Sequence, residues 1–357
     1  MINNEINWPK PIINDIDRKA RLAIRGVFGQ LGARLAGAIK KQPDLEVIIG
    51  IVYPDQTAQL RGYAIMESNP LIDLKVTDSD HLKRLSQNGI ITTLWQDDNF
   101  NNLDLVIDTT PPGKGSDFAQ RASQNNKTIF IQSGENGFGR MVVPPKIGKG
   151  GDHIFEIGDC NANAIVPVIN ALHEVIDRVG IHVLMQYGRF FHGRLRDEPV
   201  ISTYFTSAKP LQKQISALLP EFDITINDLI SQVPTLRYYT HTYHIDTQVP
   251  VDIGEITSLL NEHPRIKCLT HASSTFEIKE YDNIIRSAEG YRLPPIVPIM
   301  IRGDQPSQKS KNIDLVVAVD SRRISVLPNI DAARTLLWGI DPIEAMKITD
   351  HSMKFRQ

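Results

Sequence analysis

The chain has 357 residues, a formal charge of −2, and 41% hydrophobic against 22% charged residues, the balance of a globular protein long enough for about two domains. Its near-neutral charge offers no basic surface for nucleic acid, and without an apolar run of about 18 residues no membrane span is expected. Two cysteines, Cys160 and Cys268, are too few for a disulfide framework and lack CxxC spacing, which fits a reducing cytoplasm and no metal site.

Residues 1–20 are polar, carry two prolines and read as a loose arm. The first strong element follows in "RLAIRGVFGQLGARLAGAIKKQPDLEVIIGIVYPD". Leu22, Ala23 and Ile24 lead into Gly26, Gly29 and Gly32. Leu31, Leu35 and Ile39 then recur at helical spacing before a second strand, Val47 to Val52. This is a strand–turn–helix–strand unit of about 30 residues. Its G-x-x-G-x-x-G spacing is a variant of the dinucleotide fingerprint. One glycine makes the tight turn, one admits a pyrophosphate to the backbone, and one lets helix and strand pack closely. A glycine-rich turn of no function is the alternative. Two further strands, Leu103 to Ile107 and "KTIFI", end in Asp108-Thr109-Thr110-Pro111-Pro112-Gly113 and Ser133-Gly134-Glu135, and strand C-termini are where open parallel sheets bind ligands. The acid that would hold a ribose comes late, at Asp55 after a proline, and serves equally as a turn cap. NAD and NADP are both open.

Past the middle the pattern changes. From Ile181, strand-like runs such as "IHVLMQYG" and "LRYYTHTYHI" alternate with helical ones such as "DIGEITSLLNEH", which predicts an α+β domain with an antiparallel sheet. The last stretch, "NIDAARTLLWGIDPIEAMKI", is helical again, with Asn329 and Asp331 as candidate caps.

Cys160 stands between these halves. After it, Ile165, Ile169, Leu172, Ile176 and Val179 recur in steps of four and three and predict one buried helix face, while Pro167 belongs in a first turn. A thiol at a helix N-terminus is expected to have a lowered pKa. A thiolate there can attack an aldehyde and carry the resulting thioester, given a general base. A merely structural cysteine is the competing reading. On the strand "YYTHTYHID", Tyr239, His241 and Tyr243 share one face and His244 lies on the other, so only one of the two histidines faces such a site.

The order "GVFGQLG", "DTTPPG", "DCN", "VPTLRYYTHTYHI", with "IFIQSGE", "LPEFDIT", "SSTFEIKEY" and "LPNIDAAR", resembles glyceraldehyde-3-phosphate dehydrogenase, nearest its archaeal-type branch. The resemblance implies an α/β Rossmann dinucleotide-binding domain (21–159 and 330–357) and an inserted α+β catalytic domain (160–329) with a mixed or antiparallel sheet. It also implies a small-molecule aldehyde or acyl-phosphate substrate, NAD or NADP, and a homotetramer or homodimer. It makes Cys160 the nucleophile beside Asn161, with His241 the base, or His244 if the register slips. The turn Gly26, Val27, Phe28, Gly29, Gln30, Leu31 and Gly32 would hold the pyrophosphate. Thr110, Pro111, Gly113 and Gly134 would lie along the cofactor, with Asn329 near the nicotinamide. Where the family places an arginine and a glycine against substrate phosphates, this chain has Gln186, Tyr187 and Gly188, with Arg189 after them. Arg189, Arg194 and Arg196 either compensate or are surface charges. A dinucleotide-binding regulator without turnover, or a reductase with a structural Cys160, are the other readings.

Overall fold

The computed structural model describes residues 18–355, apart from 54–58, 133–136, 149–152, 188–189, 192–193, 196–202, 206, 233–237, 273 and 304–308; at 59–61, 185–187, 190–191, 194–195, 203–205 and 228–232 only the backbone is described. The predicted arm and the calls on Asp55, Gly134, Arg189 and Arg196 fall outside these residues.

The first sheet is built from β1 (Ala20–Arg25), β2 (Leu45–Val52), β3 (Asp73–Val76), β4 (Thr93–Leu94), β5 (Leu105–Asp108), β6 (Thr128–Ile131), β7 (Arg140–Val143), β8 (Lys146–Ile147) and β9 (Ile154–Ile157), in the order β4-β3-β2-β1-β5-β6-β9-β7-β8. Every pairing is parallel except β7 with β8. Helices α1 (Gln30–Ile39), α2 (Gln59–Ser68), α3 (Ser79–Gln87) and α4 (Ser116–Gln124) supply the crossovers. The run β3-β2-β1-β5-β6-β9 is the doubly wound order, whose chain reversal between β1 and β5 opens the ligand crevice. Apolar β1 is buried on both faces: Leu22 and Ile24 join one core layer with Leu35 and Ile39, and Ala23 joins the other with Trp95, Phe100 and Phe118.

Chain order continues with α5 (Ala162–Ala171), β10 (Ile176–Tyr187), β11 (Phe190–Phe191), β12 (Arg194–Leu195), β13 (Thr203–Phe205), α6 (Lys209–Leu218), β14 (Asp223–Gln232), β15 (Tyr238–Val251), α7 (Ile253–Glu262), α8 (Thr275–Glu289), β16 (Ile296–Gly303), β17 (Ser310–Asp320), α9 (Ser321–Ile324), α10 (Leu327–Trp338) and α11 (Pro342–Met353). A six-stranded sheet runs β13-β14-β10-β15-β17-β16. It is mixed, because β10 pairs parallel with β14 and antiparallel with β15. One face packs on α5, α6 and α7 through Ile165, Ile169, Ile215 and Ile256. The fold is thus a Rossmann-type α/β layer joined to an α+β layer.

Two expectations change. The helix after Cys160 stops at Ala171, so Ile176 and Val179 are strand residues of β10. Both face the core, and a strand residue three or four positions along mimics a helical step. Pro167 sits past the first turn, and the helix continues through it. Asn329 and Asp331 are not caps: α10 starts at Leu327, and both side chains are buried inside it. The real break is Gly339, at φ +67°, after which Asp341 caps α11 by accepting from the N–H of Ile343 and Glu344.

Helix α10 returns to the first layer, adding Ile330, Ala332 and Ala333 to the core of β1 and α1. It carries a buried charge network. Arg334, fully buried, donates two hydrogen bonds to Asp44, one to Gln42 and one to Thr349. Arg265, from the segment after α7, pairs with Asp331 at 2.6 Å and Asp350 at 2.6 Å.

Candidate active site

The glycine turn follows β1. Gly26 has φ +80°, and its N–H donates to Ile51 of β2 at 2.8 Å. A Cβ on Gly32 would stand 2.3 Å from the Gly26 carbonyl oxygen, so α1 crosses the turn at a distance only glycine permits. Gly29 starts α1 with neither a side-chain cap nor an acidic first turn. The first N–H groups of a helix have no partner within it, so this end suits an anion, with Gln30 exposed on it and Leu31 half-buried. Val27 and Phe28 point into the core, Phe28 beneath Gly62 of α2. They shape the turn through packing.

The end of β5 is tied to β1. The Thr109 hydroxyl donates to the Arg25 carbonyl at 2.8 Å. Asp108 accepts from the N–H and hydroxyl of Thr110 and pairs with the buried Arg25 guanidinium at 2.5 Å. Arg25 also donates to the Lys114 carbonyl and lies 4.9 Å from the Phe118 ring centroid. Pro111 and Gly113, the latter at φ +79°, are exposed on this loop. At the next strand end, Gln132 accepts a hydrogen bond from Asn329 Nδ2. Asn329 is fully buried, and its Oδ1 has no partner among the described residues. An orphaned acceptor there and a cradle that a Cβ would fill at Gly32 both fit a nicotinamide dinucleotide, whose carboxamide brings N–H donors and whose pyrophosphate needs bare backbone.

Cys160 lies in the turn between β9 and α5. A Cβ on Gly158 would come 2.3 Å from a Val143 methyl, so this approach to the helix is tight. Asp159 controls the helix start: its Oδ1 accepts from the N–H of Asn161 at 2.8 Å and of Ala162 at 2.9 Å. Its own N–H donates to the Gln214 side chain on α6. Burial raises the Asp159 carboxyl above the usual range, and those two N–H bonds draw it back. The expected lowering of the thiol pKa does not occur. Burial pushes the Cys160 thiol far above its ordinary range, the neighbouring Asp159 pushes the same way, and N–H groups and the Tyr239 hydroxyl oppose them only in part.

His241 is brought to this turn by β15. It is fully buried; its Nε2 lies 3.2 Å from Asn161 Oδ1 and its Nδ1 3.3 Å from the Tyr243 hydroxyl. An amide oxygen only accepts, so Nε2 carries the proton and Nδ1 accepts from Tyr243. Burial lowers the imidazole to about 3 and leaves it neutral. His244 points the other way, exposed, bonded to Asp314 and edge-on to His182. Cys160, Asn161 and His241 thus meet, with Tyr239 on the same strand face. Gln186 and Tyr187 end β10, described as backbone only, and Arg194 lies in β12 likewise.

Asp159, Tyr239, Gln132 and Arg25 were not singled out from sequence. Only Asp159 carries a readable signal, an acid two and three residues ahead of the first helical N–H groups.

No family model matches the chain. It is 26% identical over 354 residues to glyceraldehyde-3-phosphate dehydrogenase of Sulfolobus acidocaldarius, covering 94% of this chain and 97% of that protein. It is 24% identical to the protein of that name from Saccharolobus solfataricus and 23% identical to that from Metallosphaera sedula, each over 93% of this chain and 97% of the relative. With the two-layer fold and near-complete coverage, the chain is a glyceraldehyde-3-phosphate dehydrogenase-like protein, related to the archaeal branch of that family.

Proposed function

We propose that this dehydrogenase-type protein oxidises a small aldehyde through Cys160, using NAD or NADP, or runs the same chemistry in reverse on an acyl phosphate. The observation that carries the reading is the meeting of Cys160 and Asn161 at the start of α5 with His241 from β15, whose ring nitrogen reaches the Asn161 side chain at 3.2 Å. Cys160 sulfur would attack the aldehyde carbon to form a hemithioacetal, and His241 would take the hydroxyl proton. That role needs the tautomer with Nε2 as acceptor. Asn161 permits it by turning its amide NH₂ to the ring in place of its oxygen. A bound nicotinamide dinucleotide supplies the hydride acceptor, held by the Gly26–Gly32 turn, the Thr110–Gly113 loop and Asn329. The thioester left on Cys160 is then cleaved by phosphate or water. We assign 21–159 with 330–357 to dinucleotide binding and 160–329 to catalysis, in a cytoplasmic homotetramer or homodimer.

The test is the reduction of NAD and of NADP with glyceraldehyde 3-phosphate, with and without inorganic phosphate, by wild type and Cys160→Ser. A phosphate-dependent rate abolished by serine supports the phosphorylating reaction. A rate that survives the serine makes Cys160 structural and the protein a reductase-type enzyme. Dinucleotide binding with no turnover on a panel of aldehydes makes it a regulator.

A further inference from the structure

Asp159 is the one ionisable side chain at the Cys160 turn that the proposed chemistry does not use. Its position is unusual for a residue beside a nucleophile. The two N–H groups it accepts from, those of Asn161 and Ala162, are the same donors that a sulfur anion at the start of α5 would draw on. A helix N-terminus stabilises one negative charge through those groups. Two neighbouring acids cannot both hold it, and they titrate as a coupled pair. The carboxyl is intrinsically the stronger acid by several units and already has both donors, so it ionises first. The other groups around the sulfur do not offset this: the Tyr239 hydroxyl is neutral, His241 on β15 is neutral, and Gln214 on α6 is an uncharged amide. No cation among the described residues contributes to the environment of the thiol.

We propose that Asp159 is a positioning residue that restrains Cys160: by occupying the donors at the head of α5 and holding the single negative charge of the pair, it keeps the nucleophile a thiol in the free protein. This rests on the reading of Cys160 as the nucleophile. In consequence the S–H proton leaves only as the S–C bond forms, so that no free thiolate waits in the site to be oxidised or alkylated.

The experiment is alkylation of Cys160 by iodoacetamide across pH 6 to 11, followed by mass, in a Cys268→Ser background. In that reaction the S–C bond forms, the C–I bond breaks, iodide leaves, and the thiol proton passes to solvent. The rate tracks the thiolate fraction. Asp159→Asn keeps an oxygen acceptor for the two N–H groups and removes the charge. Asp159→Ser keeps a short capping hydroxyl and serves as the second variant should the amide perturb folding. The wild type is expected to react slowly at pH 7, with a rate still climbing at the alkaline end. Both variants are expected to react at least about tenfold faster at pH 7, with the inflection moved to lower pH, as removal of a like charge predicts. Profiles of both variants that overlay the wild type would overturn the proposal, as would a wild-type inflection at the ordinary thiol value. Because alkylation needs no substrate or cofactor, its outcome is separate from the Cys160→Ser turnover test: a failure there removes the catalytic reading and leaves the Asp159–Cys160 coupling to be judged on its own profile.

Discussion

Replacing Gly32 by alanine tests the glycine turn most directly, because Gly37 in the same helix is an internal control. A Cβ at Gly32 would lie 2.3 Å from the Gly26 carbonyl oxygen, 2.9 Å from its carbon and 2.9 Å from the Thr109 hydroxyl, whereas one at Gly37 meets nothing within 4 Å. The first obstacle is backbone, so no rotamer relieves it; reaching ordinary contact at 3.4 Å forces α1 about 1 Å away from β1 in a close-packed interior. Gly26 cannot yield instead, since its N–H is fixed to Ile51 and its carbonyl receives the Gly29 N–H at 2.8 Å. Such overpacking costs about 1–3 kcal/mol. The same shift withdraws the α1 N-terminus from a pyrophosphate, so dinucleotide affinity should fall about tenfold or more, equivalent to about 1.4 kcal/mol. Gly37→Ala should instead gain about 0.5–1 kcal/mol from helix propensity and leave affinity unchanged. Urea unfolding and titration of cofactor fluorescence measure both quantities on both variants. A Gly32→Ala protein that binds like the wild type and gains stability like Gly37→Ala would refute the reasoning.

Other outcomes follow from the same structure. Arg334→Met leaves Asp44 buried without its partner and should cost about 3–5 kcal/mol; adding Asp44→Asn should recover part of that, and a double variant no better than the single would count against the pairing. His241 and His263 are both held near about 3 by burial, against 6.5 when free. Between those values the unfolded chain binds more protons, so stability should fall as pH drops from about 6.5 toward 3. The limit is roughly 5 kcal/mol for each fully buried ring. A series of urea midpoints from pH 7 to 4 should be flatter for His263→Gln, and parallel curves would contradict this. If His241 is the base, His241→Asn should lower turnover about 100- to 10,000-fold while His244→Asn leaves it intact; equal losses would mean that neither acts as the base.

The legible parts of this sequence were those written in short-range periodicity. The Gly26–Gly32 turn, read with its flanking strand and helix, gave the first layer because a glycine crossing and an apolar run leave local marks. The phase of β15 was equally readable, since alternation alone separates buried His241 from exposed His244. The end of α5 was not, because Ile176 and Val179 extend a helical spacing into a strand. The state of Cys160 was misjudged for a different reason. Helix position was visible, but which group takes the free N–H bonds depends on the side-chain rotamer of Asp159. Arg25, Arg265 and Arg334 looked like surface charges, and their acidic partners lie 83, 66 and 290 residues away, beyond any pattern in a single sequence.

The return of α10 to the first layer has a bearing on how the chain is made. Asp44 meets Arg334 across 290 residues, an interval of roughly 15–60 s at a synthesis rate of ~5–20 residues per second. Throughout it, the nascent N-terminal half has β1, β2 and α1 in place, yet the slot later filled by Ile330, Ala332 and Ala333 stands open and an acid faces an apolar interior. The six-stranded sheet, whose strands all precede Asp320 or end there, emerges before the half that was begun first is closed. Birth order and completion order are therefore reversed in this protein: the domain started first is finished last.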